Sequence, residues 1–298
     1  MSPTNPFADH APTDLEDRVL VTRARSGNRA ALEALVQRHQ GWIYNIAVRM
    51  LSHPQDAEDA TQEILIKAVT QLSSFEGRSS FRTWLYRIVV NHVLNMQRGR
   101  VEQQALGFPA YGAALDATPD LDLPDPSTAP AEVRLLVTEA MISCVSGMLL
   151  CLDREQRLTY ILGEIFGVTD TVAAELLEIS SENFRQRLAR ARRDLHSFMH
   201  DKCGLVNRAN PCRCAKKTRG FIQAGHVDPK HLLFAQEHLR QVRQVVPKTY
   251  ETIRTLDDQC AEIYRQHPFY EPPDLAPMLR RLIESPAFRQ ATDLSWWR

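Results

Sequence analysis

One histidine and three cysteines lie within fifteen residues near the end of an otherwise cysteine-poor chain. Their spacing is His200-x2-Cys203 followed by Cys212-x-Cys214, and thiolate and imidazole groups are the ligands that hold Zn²⁺ tetrahedrally in structural sites. The pattern therefore predicts a structural zinc site. Its ligands would be His200, Cys203, Cys212 and Cys214, with His226 as a rival for the fourth position.

The same cysteines allow two other roles. Cys203 could form a redox-sensing disulfide with Cys212 or Cys214, or the thiols could stay unligated, and the surrounding Lys and Arg residues would lower thiol pKa values in favour of metal or oxidation alike. The two cysteines on the apolar helix before them, Cys144 and Cys151, are expected in the core.

Enzymatic chemistry at this cluster is disfavoured. A zinc deaminase needs His-x-Glu and Pro-Cys-x-x-Cys to supply both the metal ligands and a general acid/base. Here His200 is followed by Asp201 and Lys202, and the second part is Pro-Cys-Arg-Cys, so the base and the spacing are both missing. We expect no catalytic residues.

The composition is that of an ordinary globular protein. With 298 residues, 44% apolar and 24% charged, the chain can form two or three small domains. No stretch has 18 uninterrupted apolar residues, and the N-terminal residues have neither a basic start nor an apolar core. The expected location is therefore the cytoplasm, with no membrane segment.

Apolar residues recur at helical spacing almost throughout, which predicts an all-α fold. Two small helical domains are expected, joined by a flexible acidic linker and followed by a helical C-terminal extension. The predicted parts are a disordered N-terminus (1–13), a first domain (14–106), the linker (107–130), a second domain (131–200) and the extension (201–298).

Positive charge is concentrated in two segments, although Lys plus Arg equals Asp plus Glu at 36 each over the whole chain. Two basic helices on separate domains are typical of a protein that lies along a polyanion, while each alone could be a solvated face. The arginines between Gly77 and Val101 are at 78, 82, 87, 98 and 100, and those between Glu182 and Asp194 are at 185, 187, 190, 192 and 193.

Aromatic residues interleave with the first arginine segment. Unpaired bases stack on aromatic rings while arginine holds phosphates, so this helix is a candidate for binding opened DNA. The alternative is that the aromatic rings are core. The residues concerned are Phe75, Phe81, Trp84 and Tyr86.

The second arginine segment belongs to a predicted helix-turn-helix. Thr171 to Leu177 would be its first helix, residues 178–180 the turn, and Ser181 the cap of a second helix that enters the major groove. The residues expected at this DNA surface are Ser181, Glu182, Asn183, Arg185, Gln186 and Arg190.

In this order and spacing, residues 14–200 resemble bacterial RNA polymerase sigma factors of the extracytoplasmic-function type. "DAEDATQEILIKAV" resembles the family's region 2 helix, "FRTWLYRIVVNHVLNMQR" its promoter-melting segment, and "TVAAELLEISSENFRQRLARARRDL" part of its region 4. The resemblance implies a transcription initiation factor that needs no cofactor for transcription.

The resemblance also implies roles for individual residues. One set would dock on the β′ clamp of core polymerase, and region 4 would contact the β flap. These clamp-binding residues are Asp56, Glu58, Asp59, Gln62 and Glu63. The −10 element would be captured by Arg78, Arg82, Trp84, Arg87, Asn91 and Arg98, and the −35 element by the predicted residues of the second helix. An anti-sigma partner is compatible with this reading.

Two features depart from the family pattern. The helix-turn-helix turn carries Glu178 where glycine is usual, so a wider turn or a tilted helix is expected. The residues beyond 200 are an addition that could regulate activity by covering a polymerase- or DNA-binding face. The alternative function is a stand-alone helix-turn-helix regulator, which would need neither region 2 nor an acidic linker.

Overall fold

The structure is a computed structural model that describes residues 11–97, 99–105, 107–121, 130–234, 256–265, 270, 272–286 and 288. Within these ranges every regular element is helical and no strand occurs, which confirms the all-α fold class. Of the predicted disordered N-terminus (1–13), residues 1–10 lie outside the described residues. Residues 11–13 belong to the first helix.

The first predicted domain (14–106), called region 2 below, begins with helices whose starts are set by local caps. The Asn28 side chain accepts a hydrogen bond from the Ala31 backbone N–H at 2.9 Å, and Ser80 does the same for Thr83 at 3.1 Å. The helices are α1 (Ala11–Arg25), α2 (Arg29–Leu51), α3 (Pro54–Thr70), α4 (Phe81–Asn95) and α5 (Arg100–Gln103).

Helix α2 is the central element of the molecule. Its buried residues occur on every side rather than along one stripe, as expected of a helix that is surrounded by others. It packs against α1, α3 and α4 of its own region and against two helices of region 4. The buried apolar side chains of both regions accordingly form one continuous core.

Region 4 is built from helices that follow the linker. They are α7 (Ala131–Leu150), α8 (Arg154–Tyr160), a π-helical turn (Ile161–Ile165), α9 (Asp170–Leu177) and α10 (Ser181–Lys202). Helix α10, the second helix of the helix-turn-helix, buries Phe184, Leu188 and Leu195 against the rest of the region. Its arginine-rich side therefore faces outward.

The predicted linker is only partly irregular. Residues Phe108–Ala117 form helix α6, because Phe108 and Tyr111 find partners distant in sequence. Both rings pack against Phe198 of α10, and the Tyr111 hydroxyl donates to the Cys144 carbonyl at 2.8 Å. Residues 122–129 lie outside the described residues, so flexibility there stays a prediction.

The C-terminal extension adds helices α11 (Cys214–Gln223), α12 (Leu256–Arg265) and α13 (Ala276–Glu284). Helix α11 packs along α7, α12 packs on α10 and the π-helical turn, and α13 packs on α2 and α3. The extension therefore contacts both region 2 and region 4.

Among the helices of the described residues, α7 alone has the length and apolar composition that a membrane-spanning helix would need. In this fold it contacts α2, α8 and α11, and Ala140, Ile142 and Val145 belong to the core. The same composition is that of a buried core helix.

The helix-turn-helix keeps a short turn despite its lack of glycine. Glu178 adopts the left-handed conformation, with φ 54° and ψ 39°, and the Ile179 N–H donates to the Ala174 carbonyl at 3.0 Å. The expected wider turn was wrong, because the backbone accepts the strained conformation. The cap was also misplaced by one residue: Ser180, not Ser181, accepts a hydrogen bond from the Asn183 N–H at 3.1 Å.

The strain at residue 178 predicts that Glu178→Gly stabilises the protein. A left-handed non-glycine residue costs about 1 to 2 kcal/mol, and the extra freedom of glycine in the unfolded chain offsets part of the gain. We expect the free energy of unfolding to rise by about 0.5 to 1 kcal/mol, measured by urea denaturation.

The matched control is Glu182→Gly, four residues further on and inside the first turn of α10. Glycine in a helix costs about 1 kcal/mol, so this variant should lose stability. A loss of stability in both variants would contradict the assignment of strain to Glu178.

Candidate nucleic-acid interface

The predicted −10 arginines do not share one exposed face. Arg78 is exposed and pairs with Glu76 at 2.6 Å. Arg82 is only 9% exposed and lies on the buried side of α4, so its predicted role in binding DNA does not fit its position. Arg82 follows the buried Phe81 at the edge of the core, and its side chain lies against the protein rather than in solvent. Arg98 lies outside the described residues.

The interleaved aromatic residues are mostly core. Phe75, Phe81 and Tyr86 are buried, and the Tyr86 ring stacks on Trp42 with centroids 4.3 Å apart. Trp84 is half-buried, with its ring 5.5 Å from those of Phe75 and Phe81. Of these four rings, only Trp84 keeps surface on which a base could stack.

Arg87 and Asn91 stand on the outer side of α4. Arg87 reaches across to region 4, where its guanidinium lies 3.3 Å from Glu175 of α9. Asn91 is exposed and lines a groove of about 1100 Å³ between α3 and α4.

The predicted polymerase-binding acids divide between two sides of α3. Asp56, Asp59 and Glu63 line the same groove as Asn91. Glu58 and Gln62 do not line the groove. The Gln62 side-chain amide instead donates a hydrogen bond to the Glu58 carboxylate at 3.4 Å. One groove thus carries residues that were assigned to two different partners.

A neutral histidine forms part of the groove wall. His92 is buried, and burial together with the charge of Lys67 lowers the pKa of His92, which Glu63 partly offsets. The Lys67 ammonium lies 2.7 Å from His92 Nδ1, so the neutral ring accepts this hydrogen bond.

The predicted −35 residues lie where the sequence placed them. Ser181 is half-buried, and the other five residues are exposed along one side of α10. These are Glu182, Asn183, Arg185, Gln186 and Arg190. Arg185 is held by Asp170 at 2.6 Å, a surface ion pair that contributes little stability and can exchange for a phosphate.

The predicted zinc ligands are only partly brought together. Cys203, Cys212 and Cys214 line one small cavity, but His200 is exposed and does not line it. His226 is likewise exposed and outside the cavity lining. Among the described residues, no group of three or more His, Cys, Asp or Glu side chains is placed so that it could hold a metal ion without moving.

A buried ion cluster at the junction of the two regions was not predicted. Glu102 of α5 accepts hydrogen bonds from Arg154 at 2.6 and 2.8 Å and from Arg157 at 3.1 Å. Arg154 also donates to the carbonyls of Leu94 and Met96, at the end of α4. The cluster thus ties α8 of region 4 to region 2. No local sequence pattern marks Glu102 as the centre of such a cluster.

The two arginines keep Glu102 charged. Burial alone would raise the pKa of Glu102, but hydrogen bonds from Arg154 and the charge of Arg157 bring it below its usual value. Arg157 is also buried, and its remaining donors reach carbonyls of both regions. These acceptors are Met50, Leu149, Leu150 and Leu152.

Known proteins are similar in sequence to regions 2 and 4 of this chain. Residues 35–102 match the family description Sigma-70 region 2. The RNA polymerase sigma-H factor of Pseudomonas aeruginosa is 41% identical over 90 residues, which cover 30% of this chain and 47% of that protein. The ECF RNA polymerase sigma-E factor of Haemophilus influenzae is 30% identical over 183 residues, covering 60% of this chain and 92% of that protein.

A solved structure, that of CnrH in complex with the cytosolic domain of CnrY, is 26% identical, with a TM-score of 0.44, and covers 62% of this chain and 98% of that chain. The similarity to sigma-E factors extends over nearly their whole length. The chain therefore belongs to the extracytoplasmic-function group of the sigma-70 family, and it is a sigma factor for transcription initiation.

The ion cluster predicts a large effect for Glu102→Gln. The change would leave Arg157 buried without a counter-charge, and breaking a buried ion pair in this way costs about 3 to 5 kcal/mol. We expect a loss of about 3 kcal/mol in urea denaturation, together with an increase in the radius of gyration measured by small-angle scattering as the two regions separate.

The control is Glu155→Gln on the same helix α8. Glu155 is exposed and pairs with Arg187 at 2.9 Å, so its loss should change stability by less than about 1 kcal/mol. Similar losses in the two variants would show that the cluster does not hold the regions together.

Proposed function

We propose that this chain binds core RNA polymerase and directs it to promoters whose −10 and −35 elements it reads with regions 2 and 4, and that its extension restrains this activity. The observation that carries the proposal is the 30% identity over 92% of a sigma-E factor, with both helical modules present in the same order. Recognition of core polymerase and promoter DNA follows from that relationship.

Region 4 offers the chemistry that base recognition needs. Asn183 and Gln186 project from the first two turns of α10, where a reading helix meets base edges, and amide side chains pair with adenine. Arg190, a turn later, is exposed and suits a phosphate. The Ser180 cap and the buried Phe184 hold this end of the helix in place.

Region 2 offers an acidic surface for the polymerase. Asp56, Asp59 and Glu63 along the groove would repel DNA phosphates, so they suit a basic protein partner. Arg78, in the exposed segment before α4, and the half-buried Trp84 are the residues best placed to hold an unpaired strand. Arg82 is not part of this proposal, because it is buried.

The described arrangement is too compact to read both elements at once. The −10 and −35 elements lie about 25 base pairs apart, roughly 85 Å along B-DNA. Here α4 packs directly against α9, and Arg87 contacts Glu175. Promoter binding therefore requires the two regions to separate. If α6 releases Phe198 and unfolds, the 24 residues from 107 to 130 can span roughly 80 Å.

The extension holds region 2 through α13 and the residues before it. The Asn45 side chain of α2 donates to the Tyr270 carbonyl at 2.8 Å and accepts from the Tyr270 N–H at 3.0 Å. The Leu275 N–H donates to Gln40 at 3.1 Å, and Arg280 pairs with Glu33 at 2.5 Å.

The extension holds region 4 through α12. The Tyr264 hydroxyl donates to the Val145 carbonyl at 3.2 Å, and Arg265 donates to the carbonyl of Glu164 at 2.7 Å. The buried Glu164 carboxylate also accepts from Arg192 of α10 at 2.6 Å. One chain segment therefore bridges both regions and favours the closed arrangement. A separate anti-sigma partner stays a prediction.

Promoter-directed initiation is tested by run-off transcription from a promoter library with core polymerase and the full chain. Gln186→Ala should lower transcription from the selected promoters about tenfold, because one base contact is worth about 1 to 3 kcal/mol. The loss should depend on the base at one −35 position.

Arg193→Ala is the control for charge alone, two turns further along α10 and exposed. It should weaken all promoters equally, because a phosphate contact reads no sequence. An absence of promoter-dependent initiation, combined with tight binding of duplex DNA by the chain alone, would contradict the sigma function and favour a stand-alone regulator.

Restraint by the extension is tested with Leu279→Asp. Leu279 is buried on α13, and a carboxylate there would disfavour docking on α2. A shift of about 1.4 kcal/mol in the closing equilibrium would raise transcription at limiting core polymerase about tenfold.

Arg281→Asp places the same group on the exposed side of α13 and should leave transcription near the wild-type rate. Circular dichroism of both variants checks that the helices remain folded. Equal transcription from wild type and Leu279→Asp would sink the restraint, while leaving promoter recognition untouched.

A further inference from the structure

A small cavity lies where the extension meets region 4. Its volume is about 80 Å³, and four cysteines line it together with Lys202, Arg213 and several apolar residues. One thiol comes from the middle of α7, and the other three come from the extension. The members of this four-cysteine cluster are Cys144, Cys203, Cys212 and Cys214.

The fold brings the four cysteines together from two parts of the chain. Cys144 lies on α7, whereas Cys203, Cys212 and Cys214 follow much later in the sequence, and all four line the same cavity. Helix α11, which begins at Cys214, packs along α7.

The loop between α10 and α11 directs backbone amides at the sulfurs. The backbone amides of Leu205 and Val206 hydrogen-bond to Cys203, and the backbone amide of Gly204 hydrogen-bonds to Cys212. A Cβ at Gly204 would lie 2.0 Å from the Cys212 carbonyl oxygen, so only glycine allows this close approach. N–H groups aimed at sulfur stabilise a thiolate more than a thiol.

Cations also surround the cluster. Lys202 and Arg213 line the cavity, and the charge of Lys217 acts on Cys212. Arg213 is fixed in the loop by hydrogen bonds to the carbonyls of Cys212 and Arg208, both at 2.8 Å. This positive charge would offset the negative charge that the four sulfurs acquire when a metal ion displaces their protons.

We propose that Cys144, Cys203, Cys212 and Cys214 bind one Zn²⁺ ion and so fasten the extension to α7 of region 4. The ion would displace four thiol protons, giving Zn(S-Cys)₄ with a net charge of −2 and four released H⁺. Lys202 and Arg213 offset that charge. Cys144 takes the place that the sequence pattern gave to His200, which is exposed outside the cavity.

Binding requires the sulfurs to converge. The four side chains surround the cavity without the arrangement of a formed metal site, and zinc–sulfur bonds are about 2.3 Å long. Rotation about each Cα–Cβ bond turns the sulfurs toward the common space. A redox switch fits less well, because sensor cysteines are exposed and have low pKa values, whereas Cys203 is buried.

The first test measures zinc bound to the reduced full-length protein after gel filtration. Wild type should carry one zinc per chain, and Cys144→Ser should lower zinc affinity at least about tenfold. His200→Ala should keep full occupancy. Cys151→Ser, on the same helix but outside the cavity lining, is the matched control and should also keep its zinc. Full zinc in Cys144→Ser, or loss in His200→Ala alone, would overturn the proposal.

The second test uses the wild-type chain, so that it does not depend on any variant folding. Alkylation followed by peptide mapping should show the four-cysteine cluster protected together when zinc is present, and reactive together after a chelator is added. A protein that takes up no zinc and shows no change with the chelator would contradict the site. Promoter-dependent transcription is a separate readout, so this failure would leave the sigma function standing.

Discussion

The arrangement of the two regions depends on one buried ion cluster, Glu102 between Arg154 and Arg157. A single carboxylate faces two guanidinium groups, so the cluster remains stable only while neighbouring carbonyls accept the remaining donors. Those carbonyls come from the ends of α2 and α4 and from the turn after α7. The cluster thereby ties α8 of region 4 to the ends of α2 and α4 and to α5 of region 2, beside the direct contact of α4 with α9.

The extension adds three attachments to this arrangement. It reaches region 2 at Asn45, the reading helix through Glu164, and α7 through the cysteine-lined cavity. Attachments on one chain act at a high effective concentration, so each can be weak while the set is firm. Loosening one of them also weakens the others, which gives a signal at any single point an influence over the whole arrangement.

Sequence reasoning succeeded where the determinants are local. The all-α fold class and the outward side of α10 both follow from helical spacing. It failed where the partner is distant. Arg82 has the same residue type as Arg78, yet one is buried and the other exposed. The glycine rule at residue 178 failed because a glutamate can adopt the left-handed conformation at a cost.

The same limit explains the other differences. The composition of residues 107–130 resembles a linker, but Phe108 and Tyr111 form a helix because Phe198 receives their rings. From the sequence, Cys144 is predicted to be an ordinary core residue. Only the packing of α11 on α7 places the other cysteines near it. Glu102 carries no local sign that two arginines more than fifty positions away will enclose it.

The ion pairs of the arginine-rich helices have a consequence for the ionic atmosphere around the protein. Arg87, Arg185 and Arg187 are each neutralised by a carboxylate of the same chain. In the folded protein these carboxylates act as the counterions of the three arginines. If these arginines bind DNA as proposed, phosphates would displace these carboxylates rather than salt anions from solution. Its affinity for DNA should therefore vary less with ionic strength than the number of arginines at the interface would suggest.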